Sequence, residues 1–202
     1  MASQEYSIGE KESRVADTGV HELSQDLRGL KVALGVCGSI AAVESVKIAR
    51  ELRRHGGSVA GFLTPGAEQF ITPLALAWAC DLRVITGADP AMAHLEPWDA
   101  IVIAPLSFHT MRQLSLGLVG NNVALLFAAQ VGRKIPLVCA PALNNLFLTH
   151  PQWASTYAEL EKWGVAWVVQ EEEGRLKMPP ANKIVEVLVR QLKDKNPREG
   201  KP

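Results

Sequence analysis

Short apolar runs alternate with segments of helical periodicity along most of the chain. Strands are predicted where apolar and often β-branched residues stand side by side, at 31–37, 58–64, 100–104, 136–140 and 165–170. Helices are predicted where apolar residues recur at helical spacing or a proline stands near a first turn, at 40–55, 65–70, 73–80, 111–118, 123–130, 151–162 and 182–192.

This alternation predicts an α/β fold. We expect a single doubly wound parallel sheet, Rossmann-like or flavodoxin-like, with helices on both faces. In such sheets ligands bind beyond the carboxyl ends of the strands, at a switch point of the topology. The loops that follow the strands are therefore the candidate positions for chemistry.

The two ends of the chain depart from this pattern. Residues 1–29 hold six acidic residues against three basic ones and show no sustained periodicity, so a mobile N-terminal extension is predicted there. Residues 193–202 are polar and contain two prolines, and a disordered tail is predicted. The folded domain is therefore expected to span 30–192.

Composition and charge argue against several classes of function and location. The chain has 202 residues, with 21 Lys and Arg against 21 Asp and Glu, and this neutral balance argues against nucleic acid or an anionic membrane as the partner. Its three cysteines form no disulfide framework, which favours a reducing, cytoplasmic setting. No apolar run is long enough for a membrane span, and the N-terminus has no signal-peptide pattern.

The first candidate loop lies between the strand at 31–37 and the next helix. Gly38 permits a tight turn, and the Ser39 hydroxyl with the following N–H groups would suit a phosphate. Ser39 could equally serve only as a helix N-cap. The loop lacks the complete glycine pattern of dinucleotide sites, so NAD(P) is the weaker hypothesis.

Three further loops carry polar side chains after a strand. Thr64 follows the strand at 58–64, Ser107, His109 and Thr110 follow the strand at 100–104, and Asn144 follows the strand at 136–140. Each could contact a ligand, and Thr64 and Asn144 could instead cap the next helix.

Taken together, these loops resemble the family of homo-oligomeric FMN-containing cysteine decarboxylases. The run GVCGSIAA at 35–42 resembles its phosphate loop, and 63–74 is similar to its Met-Thr segment. The run IVIAPLSFHT at 101–110 resembles its Ile-Ala-Pro motif. The run PALNNLFL at 141–148 resembles its Pro-x-Met-Asn substrate motif.

The resemblance implies FMN as cofactor, a small-molecule substrate and a role for particular residues. Phosphate or ribityl would lie at Gly38, Ser39 and Ile40, and phosphate or flavin at Thr64, Ser107, Thr110 and Asn122. The substrate would lie at Ala142, Leu143 and Asn144, with Asn144 on its carboxylate. His94 would be the catalytic acid or base. The flavin ring would lie between subunits, which implies a homotrimer or a higher assembly of trimers.

The implied reaction begins with oxidation of a cysteine-type thiol, and the resulting thioaldehyde then loses CO2. The chain departs from the family at Phe108, His109, Leu143, Phe147 and His150. It also has no cysteine at 171–180, where the phosphopantothenoylcysteine decarboxylases carry a catalytic one. Cys37, Cys80 and Cys139 are instead predicted to be buried and inert.

These departures leave other functions open. One alternative is a flavin-dependent reductase or a flavin prenyltransferase-like enzyme. Another is a non-catalytic flavin-binding regulatory subunit, which the missing cysteine favours.

Overall fold

A six-stranded parallel sheet forms the centre of the molecule in a computed structural model that describes residues 16–89 and 91–195. In chain order the strands are β1 Lys31–Val36, β2 Ser58–Leu63, β3 Val84–Thr86, β4 Ala100–Leu106, β5 Leu137–Pro141 and β6 Val165–Trp167. Their order across the sheet is β3-β2-β1-β4-β5-β6, and every pairing is parallel. The predicted fold class is confirmed.

Helices cover both faces of this sheet. They are α1 Ser45–Arg54, α2 Pro73–Ala79, α3 Phe108–Ser115, α4 Asn122–Gln130, α5 Asn145–Leu148, α6 Trp153–Lys162 and α7 Ala181–Lys195. One hydrophobic core lies between the sheet and α1, α2 and α7, and a second lies under α3, α4 and α6. Within the described ranges, no helix is long and apolar enough to cross a membrane.

The burial of β1 explains why its sequence pattern predicts a strand. Val32 and Leu34 point into the first core and Ala33 into the second, so successive side chains are all buried. A strand buried on both faces reads as a continuous apolar run, whereas a half-exposed strand would alternate.

Several short elements differ from the predictions. The strand β3 was not predicted, and the strand predicted at 165–170 ends at Trp167. Beyond it lies an antiparallel hairpin, β7 Gln170–Glu172 and β8 Arg175–Lys177. The helix predicted at 40–55 begins as a 3₁₀ turn, Ile40–Glu44, before α1.

Both ends of the packed structure extend beyond the predicted domain of 30–192. Residues 1–15 and 196–202 of the predicted extension and tail lie outside the described residues. Leu27 is fully buried, and its N–H donates to the His55 carbonyl at 2.8 Å. The Leu23 N–H donates to the Arg54 carbonyl at 2.7 Å. The segment around Leu27 therefore packs on the end of α1, and α7 continues to Lys195.

Candidate functional site

Four adjacent strands end side by side at the carboxyl edge of the sheet. The Thr64 N–H donates to the Val36 carbonyl at 3.1 Å, which joins the end of β2 to β1. The Cys37 N–H donates to the Pro105 carbonyl at 3.1 Å, which joins β1 to β4. These bonds bring the loops that follow β1, β2 and β4 together, and β5 ends next to them in the sheet order.

The loops that follow β1 and β2 contact each other through their backbones. A Cβ atom built on Gly38 would lie 2.9 Å from the carbonyl carbon of Gly66. That distance is too short for any side chain, so this contact requires glycine at Gly38.

The polar side chains singled out from the sequence cap helical turns. Ser39 Oγ accepts from Ala41 N at 3.2 Å and Thr64 Oγ1 from Ala67 N at 3.2 Å. Ser107 Oγ accepts from Thr110 N at 3.3 Å, and Asn144 Oδ1 from Leu146 N at 3.0 Å. Capping uses oxygen lone pairs, so the Ser39 hydroxyl proton and the Asn144 amide group remain available as donors.

Thr110 and Cys37 lie beneath the surface of the site. Thr110 is only 2% exposed, and its hydroxyl and Ser107 hydrogen-bond the Cys37 thiol. Burial raises the pKa of Cys37 to about 11, and the hydrogen bonds from Thr110 and Ser107 offset only part of that rise. Burial also raises the pKa of the Cys80 and Cys139 thiols. All three cysteines are free, buried and neutral at ordinary pH.

A groove of about 790 Å³ opens beside these loops. The first loop contributes Ser39 and Ile40, and the loop after β5 contributes Ala142, Leu143 and Asn144. The remaining wall comes from α1, the β7–β8 hairpin and the start of α7. The structure thus places the predicted phosphate loop and the predicted substrate residues on one continuous surface.

The hairpin is fixed against this groove by Leu176, the middle residue of β8. Leu176 N donates to the Leu143 carbonyl at 3.0 Å, and Leu143 N donates to the Leu176 carbonyl at 2.8 Å. The Leu176 side chain is 6% exposed. The hairpin as a wall of the groove is not predicted from the sequence.

His94 lies elsewhere. It lines a separate cavity of about 270 Å³ with Asn121 and Asn122, on the face of the sheet that α4 covers. The His94 carbonyl accepts from Gln130 Nε2 at 2.6 Å, and Asn122 Nδ2 donates to the Ile85 carbonyl at 3.2 Å. The groove lies against α1 and α7 on the opposite face. Within one chain, His94 and Asn144 therefore line different cavities.

Three of the departures from the family motifs pack together. The Phe108 ring lies 5.3 Å from the Phe147 ring and 5.0 Å from the His150 ring, between centroids. These contacts join the segment that follows β4 to the segment that follows β5. The substitutions thus form one aromatic cluster, which their separation in the sequence concealed. His109, beside Phe108, is exposed.

The described part of the chain contains no cluster of side chains suited to a metal ion. No three residues of His, Cys, Asp or Glu come close enough together there to hold an ion.

Comparison with known proteins identifies the family to which this chain belongs. A family model described as Flavoprotein matches residues 20–193, so the chain belongs to the Flavoprotein family. It is 31% identical over 186 residues to the coenzyme A biosynthesis bifunctional protein CoaBC of Thermococcus kodakarensis. That match covers 88% of this chain and 46% of the relative, so the chain spans less than half of that protein's length. The family predicted from the four loop motifs is confirmed.

Solved structures share the fold. A PPC decarboxylase variant complexed with pantothenoylaminoethenethiol superposes with a TM-score of 0.72 and 23% identity, covering 80% of this chain and 97% of that one. The FMN-dependent cysteine decarboxylase TvaF from thioviridamide biosynthesis gives a TM-score of 0.67 at 24% identity, covering 81% and 98%. At these identities the likeness establishes the arrangement of strands and helices.

Proposed function

We propose that this chain is an FMN-dependent enzyme that oxidises a small cysteine-type thiol and removes its carboxylate as CO2. The observation that carries the proposal is the groove of about 790 Å³, which unites Ser39 and Ile40 with Ala142, Leu143 and Asn144. Its size is typical of a small-molecule site. The names of the fold relatives, PPC decarboxylase and FMN-dependent cysteine decarboxylase, support the same reaction class.

The residues of the first loop fit FMN. The Ser39 hydroxyl and the backbone N–H groups of the loop are donors suited to a phosphate, and 38–43 contains no carboxylate to repel it. Ile40 is 72% exposed and offers an apolar surface to a ring. FMN, when bound, supplies the two-electron acceptor for the thiol.

Other assigned residues support the shape of this site. Thr64 is 4% exposed and Thr110 is 2% exposed, so both act mainly by holding their loops, while half-buried Ser107 lies closer to the surface. Asn122 is proposed to lie near the flavin edge from its own cavity, together with His94.

The substrate chemistry follows from the groove. In the described part of the chain no protein group accepts from Asn144 Nδ2, which leaves this donor free for the substrate carboxylate. Oxidation removes two electrons and two protons from the thiol and its adjacent carbon, and a thioaldehyde results. The bond to the carboxylate then breaks, CO2 leaves, and the electron pair is delocalised onto sulfur as an ene-thiolate. We assign His94 to hold a proton during these steps.

His94 and Asn144 would then have to meet between subunits. Beside the His94 cavity lies an apolar loop in which Leu116, Leu118 and Val119 are 59%, 53% and 52% exposed. An exposed apolar patch of this kind is typical of an interface. We therefore propose a homotrimer or an assembly of trimers in which the groove of one subunit faces the His94 cavity of the next, with the cytoplasm as its location.

The absorption spectrum of the purified protein, with mass spectrometry of any released ligand, tests FMN binding. We expect a yellow protein that releases FMN. A protein that stays colourless after incubation with FMN would contradict the proposal.

A second candidate is a non-catalytic flavin-binding subunit. The observation that favours it is the absence of cysteine from 171–180, in the β7–β8 hairpin and the residues that follow. A protein that binds FMN and neither oxidises thiols nor releases CO2 would support this candidate instead.

A further inference from the structure

The short helix α5, Asn145–Leu148, has Asn144 as its N-cap and contains no buried residue. Leu146 is 75% exposed and Phe147 is 43% exposed, and no side chain of α5 belongs to either hydrophobic core. An isolated helix of this length is not stable in water. Contacts with neighbouring elements must therefore hold α5 in place, and with it the Asn144 amide group.

Two aromatic side chains in and after α5 contact the same ring. The centroid of the Phe108 ring lies 5.3 Å from that of Phe147 and 5.0 Å from that of His150, with interplanar angles of 33° and 58°. At these separations aromatic rings attract one another. Backbone hydrogen bonds join the segment, since Phe147 N donates to the Asn144 carbonyl at 3.0 Å and His150 N to the Phe147 carbonyl at 3.2 Å. A contact made by Phe147 or His150 therefore also restrains Asn144.

Phe108 belongs to an element that the core holds. It is the first residue of α3, it is half-buried, and it packs against the second hydrophobic core. Met111, in the same helix, is fully buried. Arg112 Nη1 lies 2.6 Å from the hydroxyl oxygen of the buried Thr156, and this hydrogen bond joins α3 to α6. The ring that contacts α5 is therefore fixed independently of α5.

We infer that Phe108 is a positioning residue for substrate recognition, because its ring fixes α5 through Phe147 and His150 and so orients the Asn144 amide group. This inference rests on the proposed function, which assigns Asn144 to the substrate carboxylate. Phe108 acts through these neighbours and takes no part in electron or proton transfer. Loss of its ring should therefore weaken recognition of the carboxylate and leave binding of the rest of the ligand intact.

The first test is hydrogen–deuterium exchange of the FMN-loaded full chain, read by mass spectrometry over 143–149, which contains the N–H that Asn144 caps. In Phe108→Leu and in Phe147→Leu we expect this segment to exchange about threefold faster or more, because leucine keeps the apolar packing and removes the ring contact. Exchange at 111–116 should not change, since the core contacts of α3 remain.

The second test measures the preference for a carboxylate by calorimetry. Pantothenoylserine and pantothenoylethanolamine differ only in the carboxylate, and neither has a thiol to be oxidised. We expect the wild-type protein to bind the serine compound more tightly, and Phe108→Leu and Phe147→Leu each to reduce that preference by about threefold or more. The affinity for pantothenoylethanolamine should stay within about twofold of the wild-type value.

Two control variants separate positioning from general stability. Phe147→Tyr keeps the ring, and both measurements should match the wild type, because a side chain that is 43% exposed leaves room for the added hydroxyl in solvent. Trp163→Leu removes a ring stacked 6.4 Å from Phe127, from a side chain 37% exposed just before β6 at the opposite edge of the sheet. It should change neither measurement.

Unchanged exchange at 143–149 in both leucine variants would overturn the inference, and so would faster exchange with an unchanged carboxylate preference. Equal effects of Trp163→Leu and Phe108→Leu would also overturn it, because the cause would then be general stability. The proposed function fails separately, when the wild-type protein binds both compounds equally and Asn144 does not recognise a carboxylate. The exchange measurement would then still decide whether Phe108 fixes α5.

Discussion

At the scale of single residues, the candidate site is built from groups with two roles. Ser39, Thr64, Ser107 and Asn144 each cap a turn with an oxygen, and Ser39 and Asn144 retain donors toward the groove. Capping fixes the positions of these donors before any ligand arrives. The two interpretations that the sequence left open, cap or ligand contact, are therefore compatible at Ser39 and Asn144.

Gly38 offers a direct test of the first loop. In Gly38→Ala the new Cβ would meet the Gly66 carbonyl carbon at 2.9 Å, so the two loops must separate. We expect weaker FMN binding and a loss of about 1–3 kcal/mol in the free energy of unfolding. Flavin fluorescence titration and urea unfolding measure both. The control is Gly132→Ala, where a Cβ meets nothing within 4 Å; equal effects at both positions would contradict this account.

The buried thiols predict a pH dependence. The pKa of Cys37 is raised by burial from 9.0 to about 11, so above pH 9 the unfolded chain loses this proton before the folded chain does. Its contribution to stability is therefore complete below pH 9 and is lost as the pH rises through about 11. Urea unfolding at several alkaline pH values should show this decline, and Cys37→Ala should make it shallower. An equally steep decline in the variant would exclude Cys37 as a source.

At the scale of elements, the long buried strands were predictable and the short ones were not. Leu137–Pro141 is buried at every position and reads as a strand on composition alone. Val84–Thr86 has only three residues, and its pairing with β2 depends on tertiary contact. The β7–β8 hairpin is rich in Glu, Arg and Lys and is fixed by backbone bonds to Leu143, which leave no signal in the sequence.

The segment before β1 tests where the domain begins. Leu27 is fully buried and Leu23 is 58% exposed, four residues away. Leu27→Ala should lower the free energy of unfolding by about 2–5 kcal/mol, because it leaves a cavity beside α1. Leu23→Ala should change it little. If Leu27→Ala were as mild as Leu23→Ala, this segment would be an independent extension, as the sequence first indicated.

At the scale of the whole molecule, the residues predicted for the site lie in two cavities, on opposite faces of the sheet. The order of the strand-end loops follows from the topology, and the four motifs were enough to predict the family. The face on which each side chain lies was not predictable. His94 comes from the connection between β3 and β4, and only the packing of α4 reveals that its cavity lies opposite the groove.

Mixed assemblies test whether two subunits share a site. His94→Asn and Asn144→Ala should each be inactive alone, since each lacks one half of the site. Co-expressed chains should recover turnover at about a quarter of the interfaces, where an intact groove meets an intact His94. The measurement is CO2 release by the mixture against each parent. No recovery would place both residues in one subunit's site, and full turnover by His94→Asn alone would remove His94 from the mechanism.

Anaerobic addition of a cysteine-type thiol to the FMN-loaded protein tests the central claim most directly. With pantothenoylcysteine or its 4′-phosphate we predict loss of the yellow colour and release of CO2 in equal amount to the FMN bleached, because each thiol oxidised supplies two electrons and frees one carboxylate. The matched serine compound, which has no thiol, should leave the colour unchanged. A protein that keeps its colour and releases no CO2 with either thiol would contradict the account.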